Sequence, residues 1–573
     1  MAVRLWWLGV YVALVVRLTW PLSLHLATHL PRPNLICEFD QRQMLWALAY
    51  TSHQLTTAPW RLLEANVYHP APHALLYAES GLGAVPLFLP PFLATGDAGL
   101  AGNLMLLGSL AVTAYGLHLL LERWTGSSGA GFIAALTFLL TPWVLWTWVP
   151  GAPNYAVLAY VPLIIWLAAH ASSASTRTGI LGVALAAQGA TSPYVAAGVL
   201  APVGALACVR LLRPSRRPQG AALLRSLALA TAALLVVYGG YAWLRLREPA
   251  MPEHTWWPGG QVREFAFPHD LFFARHRPNA VPVAVFFLIA AGGLRALVRR
   301  LRGHVTPGGT VAWRHGALWT AVGMLVSLPP VLVWFGHRIE LPHVRLLQHT
   351  PLFDLMREPQ RMGVGSLFGL AILAGAAYAE LSAVAARVPG VRPSIAHAAL
   401  AAFVTWAVYW TYLYVAWPPE SFAERVVPPT YPIVRRSPLP ASIAAEIRRR
   451  DAVLLQLPAK RSGRLKTVKA NADAMLDSTA HWQPILNGYG GYYPAEFPEI
   501  LELARRLPDE NALAELRRRT GMTMILVRGE KALLAQRAAF EEVARRGEAT
   551  GLSLVRREGL DLLFAVSEPS GTR

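Results

Sequence analysis

Cysteine, lysine and charge in general are scarce in this chain, and each scarcity excludes something. Two cysteines occur, Cys37 and Cys208. Two thiols cannot make a thiolate metal cluster. One lies in the first loop and the other inside a later apolar run, so they are expected on opposite sides of a membrane without a disulfide. The four lysines, Lys460, Lys466, Lys469 and Lys531, all lie near the C-terminal end. Charged residues make up 15% of the chain, against about a quarter in soluble proteins. That excludes an ordinary soluble globule. No internal repeat or low-complexity tract is visible, which tells against the repeated halves of many transporters.

Hydrophobic residues are what the chain has, at 54% of its 573 positions. Apolar runs of about 18 or more residues recur as far as Trp417, and such runs read as membrane spans. Eleven are expected, at 5–27, 100–121, 128–148, 155–171, 179–191, 194–212, 222–244, 280–298, 316–335, 363–384 and 396–417. The apolar N-terminus reads as a retained first helix, not a cleaved signal peptide. The stretch 81–95 holds Pro86, Pro90 and Pro91 and is expected to lie along the interface or re-enter.

The net charge of +19 does not require nucleic acid. Arg210, Arg213, Arg216, Arg217 and Arg225 cluster after the sixth span, and Arg295, Arg299, Arg300, Arg302 and Arg314 after the eighth. Neither cluster contains an acid, which places both on the cytoplasmic side. Alternation then puts the N-terminus inside and the long first loop, 28–99, outside. The chain after Trp417 is also outside. It becomes more polar there, and 418–573 reads as a small α/β domain. Strands are expected at 453–457 and 522–527, and amphipathic helices at 440–450, 495–507, 509–519 and 530–546. The fold class is mainly α: a polytopic helical bundle, 1–417, carrying a soluble α/β domain.

The first outer loop opens with Glu38-Phe39-Asp40, ahead of a helix-prone stretch at 41–56. Carboxylates at a membrane surface are costly unless they cap a helix or bind a proton or metal. Two readings of Asp40 stand. Asp40 with Gln43 fits a capping box. Alternatively, Asp40 takes a proton from an attacking hydroxyl or holds a divalent ion beside a leaving phosphate. Glu38 is its candidate partner.

Other candidates lie around it. His69-Pro-Ala-Pro-His73 is a spaced histidine pair in which the prolines forbid a regular helix, so an interfacial loop competes with metal binding. Tyr77 and Glu79 end the same loop. Arg357-Glu-Pro-Gln-Arg361 stands at the outer mouth of the tenth span, against the usual inside bias. Its two guanidinium groups suit a lipid-linked phosphate, or pair with nearby acids and anionic headgroups. Arg17 is a lesser candidate of the same kind and also fits a snorkelling role. In the C-terminal domain, His481-Trp-Gln-Pro-Ile-Leu-Asn-Gly-Tyr-Gly-Gly-Tyr-Tyr-Pro494 offers Trp482, Tyr489 and Tyr492 as flat surfaces for a sugar, with ordinary packing as the alternative.

The order of these features resembles the C-type glycosyltransferase superfamily of polytopic membrane enzymes. The match runs over most of the chain. It rests on the acid of the first loop, the proline-rich lead-in (Tyr68-His-Pro-Ala-Pro, then Pro86-Leu-Phe-Leu-Pro-Pro) and Leu120-Leu-Glu-Arg-Trp-Thr-Gly-Ser at the next cytoplasmic turn. Thr141-Pro-Trp, Phe353-Asp-Leu-Met-Arg-Glu-Pro-Gln-Arg361 and the His481 segment complete it. Similarity is greatest to poorly characterised bacterial members. The resemblance implies an enzyme of the bacterial inner membrane. It would transfer a sugar, with inversion, from a polyprenyl-phosphate donor to a glycan, lipid or protein acceptor at the outer face.

By position Asp40 matches the family's first-loop acid, and Mg or Mn would bind there if the reaction uses a cation. The second outer loop, Trp148-Val-Pro-Gly-Ala-Pro-Asn154, lacks the acid often found there. That departure weakens a two-acid or metal mechanism and keeps open an inactive membrane scaffold; the many spans and few buried polar residues leave a lipid or sugar transporter or flippase as the other alternative.

Overall fold

In the computed structural model, the described residues are 2–32, 38–145, 147–172, 174–247, 265–266, 279–304, 307–328, 331–334, 337–341, 359–416, 430–461, 464–546 and 551–567. Helix occurs in all eleven segments expected to span. Among the described residues, five helices are long and apolar enough to cross a membrane on their own: Ala98–Thr125, Pro193–Leu211, Pro214–Leu244, Pro359–Ala385 and Pro393–Tyr412. Ser128–Leu139 and Pro142–Gly151, bent by 54°, make a sixth if taken together. The break falls at Pro142, whose ring disfavours helix at the residue before it and which has no N–H to donate.

Several boundaries differ from the sequence expectation. The first helix, Ala2–Leu18, stops well short of residue 27, and the chain turns into a short strand, His29–Pro31. The expected span 316–335 is instead Pro307–Val326, followed by strands Val331–Trp334 and His337–Glu340. Val85–Thr95 is a helix of 11 residues. At about 1.5 Å per residue it covers about half of a ~30 Å hydrocarbon core.

Helix ends follow local chemistry. Asp97 caps Ala98–Thr125 by accepting from the Leu100 N–H at 2.8 Å, and Gly126 ends that helix in a left-handed conformation. Ser127 then caps the next helix through the Ala130 N–H. Inside the bundle, small residues allow close approach, which drives helix association where apolar burial cannot. A Cβ at Gly369 would stand 2.3 Å from the Thr320 backbone nitrogen.

The C-terminal region builds one four-stranded sheet, in the order Leu454–Leu457, Met524–Val527, Asp561–Val566, Leu552–Glu558. The first pair is parallel and the others are antiparallel. The four expected helices are present. Helix Arg464–Ser478 and the 552–566 hairpin were not expected. The helix escaped notice because its polar face carries Lys466, Lys469, Asp473 and Asp477, which break up any long apolar run.

This sheet does not have a core of its own. Met44, Leu45 and Leu48 of the first-loop helix share one buried apolar cluster with Leu454, Ile525 and Phe564. Strand His29–Pro31 also pairs antiparallel with Ile433–Arg435. The first loop and the C-terminal domain therefore fold as one body at one end of the bundle.

Candidate active site

Helix Glu38–Thr57 begins before Asp40, which occupies its first turn. The capping-box reading, which needs Asp40 to precede the helix, does not hold. A carboxylate in the first turn is still favoured by the helix dipole. The Asp40 Oδ1 accepts a 2.6 Å hydrogen bond from the Tyr489 hydroxyl. The Phe39 ring meets Tyr489 edge-on, at 5.1 Å between centroids.

Tyr489 is held there by the glycines around it. A Cβ at Gly488 would lie 2.2 Å from a Tyr68 ring carbon, and one at Gly490 would lie 2.2 Å from the Tyr77 carbonyl oxygen. Only glycine lets the segment pass so close to the first loop. Backbone bonds then fasten the two together. Tyr68 N–H donates to Asn487 C=O, His69 N–H to Ile485 C=O, and Ile485 N–H to Asn66 C=O, all at 2.8–3.0 Å.

Glu38 faces a different way. It pairs with Lys469 at 2.6 Å, Arg32 at 3.2 Å and Arg42 at 3.5 Å. Arg42 passes the contact on to Asp473 at 2.5 Å, and Lys531 bridges Asp473 and Asp477. Arg528 joins Asp477 to Asp561. Burial pushes the Glu38 carboxyl up, but Lys469, Arg42 and Arg32 outweigh it and hold the group below the usual carboxylate range. Glu38 is thus a strut between loop and domain. Its charge is already committed, so it makes a poor proton acceptor.

The remaining candidates separate. Trp482 stacks flat on His53, 4.2 Å between centroids and 2° between planes. His481 is buried, and desolvation together with Arg448 depresses its pKa to about 3. His73 pairs with Glu64 at 2.8 Å. Burial of His69 lowers its pKa, opposed by a backbone hydrogen bond at Thr520. The two rings of the histidine pair therefore go to separate partners. The Tyr492 backbone is tied to Tyr77 and Tyr68, and its side chain is buried. Arg17 ends the first helix with an exposed side chain. Glu79 lies within electrostatic reach of Tyr155, Tyr238 and Tyr241. Arg357 falls outside the described residues.

Arg361 sits in a box of aromatic rings. It lies in the 3-10 turn Pro359–Gly363 that opens the helix Val364–Ala385. Its guanidinium is 4.2 Å from the centre of the Trp148 ring, 5.0 Å from Tyr194 and 5.9 Å from Tyr155. One Nη donates to the Tyr155 hydroxyl at 3.4 Å, and Ser192 donates to that same oxygen at 3.1 Å. Cation–π contact orients a guanidinium. The sequence reading missed this box. It noted the Trp148–Asn154 loop only for its missing acid, and Tyr194 lies 46 positions from Trp148.

The two halves meet at Gln41. Its side-chain amide donates to the Pro150 carbonyl at 2.8 Å. Asp40 and Arg361 thus stand at the same end of the bundle, joined through one short loop. Among the described residues, no three His, Cys, Asp or Glu side chains gather as a ligand set for a metal ion.

No protein-family model matches the sequence, and no curated protein matches it. Several solved structures are similar, and two of them follow. One is ArnT from Cupriavidus metallidurans in the apo state, at 14% identity and TM-score 0.44, covering 98% of this chain and 99% of that one. The other is the Archaeoglobus fulgidus oligosaccharyltransferase in complex with Zn and sulfate, at 11% identity and TM-score 0.36, covering 91% of this chain and 67% of that one. Likeness at this level carries no residue role across to this chain.

Proposed function

We propose that this multi-pass membrane protein is a glycosyltransferase. It would move a sugar from a polyprenyl-phosphate donor to a hydroxyl of a glycan, lipid or protein acceptor at the outer face of the inner membrane. The N-terminus is then cytoplasmic and the C-terminal domain external. The observation that carries this reading is the Gln41–Pro150 bond, which fixes the Asp40 helix to the loop that boxes Arg361.

In this reading Asp40 takes the proton of the acceptor hydroxyl as its oxygen attacks the anomeric carbon. The bond from that carbon to the phosphate oxygen breaks, and the electron pair leaves with the polyprenyl phosphate. Arg361 stabilises the charge that develops there, in surroundings poor in water. Tyr489 holds the Asp40 carboxylate in place. The same reading gives the acceptor side to the loop of His69, His73 and Glu79, of which Glu79 lies within electrostatic reach of Tyr155. No step is routed through a cation, because the described residues gather no ligand set for one. Turnover with and without Mg or Mn measures whether one takes part.

The test is transfer from a polyprenyl-phosphate sugar in proteoliposomes. Asp40→Asn is expected to lower turnover by about 10²- to 10⁴-fold, with insertion and melting unchanged. Undiminished turnover in that variant removes the base assignment. Movement of the lipid-linked sugar across the bilayer without transfer would favour a flippase.

A further inference from the structure

Helix Pro193–Leu211 carries an arginine environment at each end. Tyr194 opens it beside Arg361. Arg210 closes it, about 24 Å away by helical rise, at the end where the arginine-rich loops lie. Arg210 is 4% exposed. One of its nitrogens donates to the Ala169 carbonyl at 2.8 Å. The Nε and the other Nη are buried and have no hydrogen-bond partner. Among the described residues, no carboxylate pairs with it.

The neighbours of Arg210 share this condition. His315, 6% exposed, lies within electrostatic reach of Arg210 and His170. Its ring is tilted over Trp124, at 5.6 Å between centroids. The His315 Nδ1 and the Trp124 Nε1 are also buried without a partner. Arg216 adds a further positive charge to Arg210's surroundings. Arg123, Arg213, Arg217 and Arg314 around this end are exposed.

A helix C-terminus tolerates a cation, and both Arg210 and its one acceptor lie at such ends. That accounts for one nitrogen and leaves the other two unsatisfied. Guanidinium is always charged, and a buried charge needs an opposite charge or full hydrogen bonding. Arg210 and Trp124 offer donors alone, and the neutral His315 ring can turn one N–H donor towards them through either tautomer. Such a set suits an oxyanion, and arginine's planar fork suits phosphate in particular.

We propose that Arg210, His315 and Trp124 form a phosphate-binding site at the cytoplasmic end of the bundle, distinct from the Asp40–Arg361 site. The depth of the cluster, at helix ends ringed by exposed arginines, matches the phosphodiester of an anionic phospholipid in the inner leaflet. Inorganic phosphate has the same recognition chemistry and is the second source to test.

The experiment uses the full chain in neutral detergent and two probes, short-chain phosphatidylglycerol and inorganic phosphate, with phosphatidylcholine as the neutral control. Native mass spectrometry and titration read the bound ligand and its Kd. Phosphatidylglycerol binding is expected to weaken tenfold or more in both Arg210→Gln and His315→Gln, and to stay unchanged in Arg300→Gln, whose exposed side chain supplies only surface charge. If inorganic phosphate shows this dependence and the lipid does not, the anion comes from solution. If neither probe's Kd changes in the two variants, the site does not exist. Should Arg210→Gln fail to fold, His315→Gln decides alone.

Discussion

Tyr489 donates a 2.6 Å hydrogen bond to Asp40, a residue 449 positions earlier. The bond spans from the C-terminal domain to the first turn of the first-loop helix, and it orients one carboxylate oxygen. Hydrogen bonds to charged groups contribute about 1.5–3 kcal/mol. Tyr489→Phe keeps the ring against Phe39 and removes only the hydroxyl. Turnover is expected to fall by about 10- to 100-fold, with a melting temperature lowered by no more than the loss of that one bond. Steady-state rates in proteoliposomes check this, and wild-type rates would leave the hydroxyl without a role.

Glu38→Gln separates the strut from the site. Transfer should stay near the wild-type rate while the protein melts earlier at neutral pH. The pH dependence follows from the lowered Glu38 pKa. A depressed carboxyl pKa means that the unfolded chain binds the proton more readily. The stabilisation is therefore complete above the ordinary value of 4.5 and is lost as pH falls through the lower folded value. Melting curves of wild type and variant should converge on acidification below that point. A gap that persists unchanged there would contradict the assignment.

Arg361 is held by ring faces as much as by charge. Lysine keeps the charge but loses the planar fork and its stacking. Arg361→Lys is expected to raise the donor KM by about tenfold, which corresponds to about 1.4 kcal/mol. Arg361→Gln should raise it further, and neither variant should shift the acceptor KM. Initial rates at varied donor concentration test this. An effect confined to the acceptor would move Arg361 to the other side of the reaction.

Gly488→Ala introduces a methyl group 2.2 Å from a Tyr68 ring carbon. Overpacking of this kind costs about 1–3 kcal/mol. Because Tyr489 is the next residue, the shift should also weaken its bond to Asp40. Both a lower melting temperature and a lower turnover are expected, measured by calorimetry and transfer assay. A variant as stable and active as wild type would mean that the glycine segment does not position Tyr489.

Much of the architecture was legible because it is local. The long helix at 98–125 shows in its apolar run, in Asp97 ahead of it and in Gly126 behind it. The amphipathic helices at 441–449, 497–506 and 510–520 show in their periodicity. Helix Arg464–Ser478 did not show, because its charges are neutralised by Glu38, Arg42, Lys531 and Arg528. Those partners lie in distant segments. The aromatic box around Arg361 was hidden for the same reason: Trp148, Tyr155 and Tyr194 are ordinary membrane aromatics until one guanidinium sits among them.

By itself, the order of residues determined where the chain enters helix in the bilayer, since a helix satisfies its backbone hydrogen bonds within one segment. It also marked the first-loop acids as a place for chemistry. It could not distinguish Glu38 from Asp40, two carboxylates in the first turn of one helix. Tertiary structure gave them different neighbours, bringing Lys469 to one and Tyr489 to the other from more than four hundred positions away. An ion pair commits the Glu38 charge to holding the fold, and the Tyr489 hydroxyl orients the Asp40 carboxyl, because a carboxylate's role is set by what surrounds it.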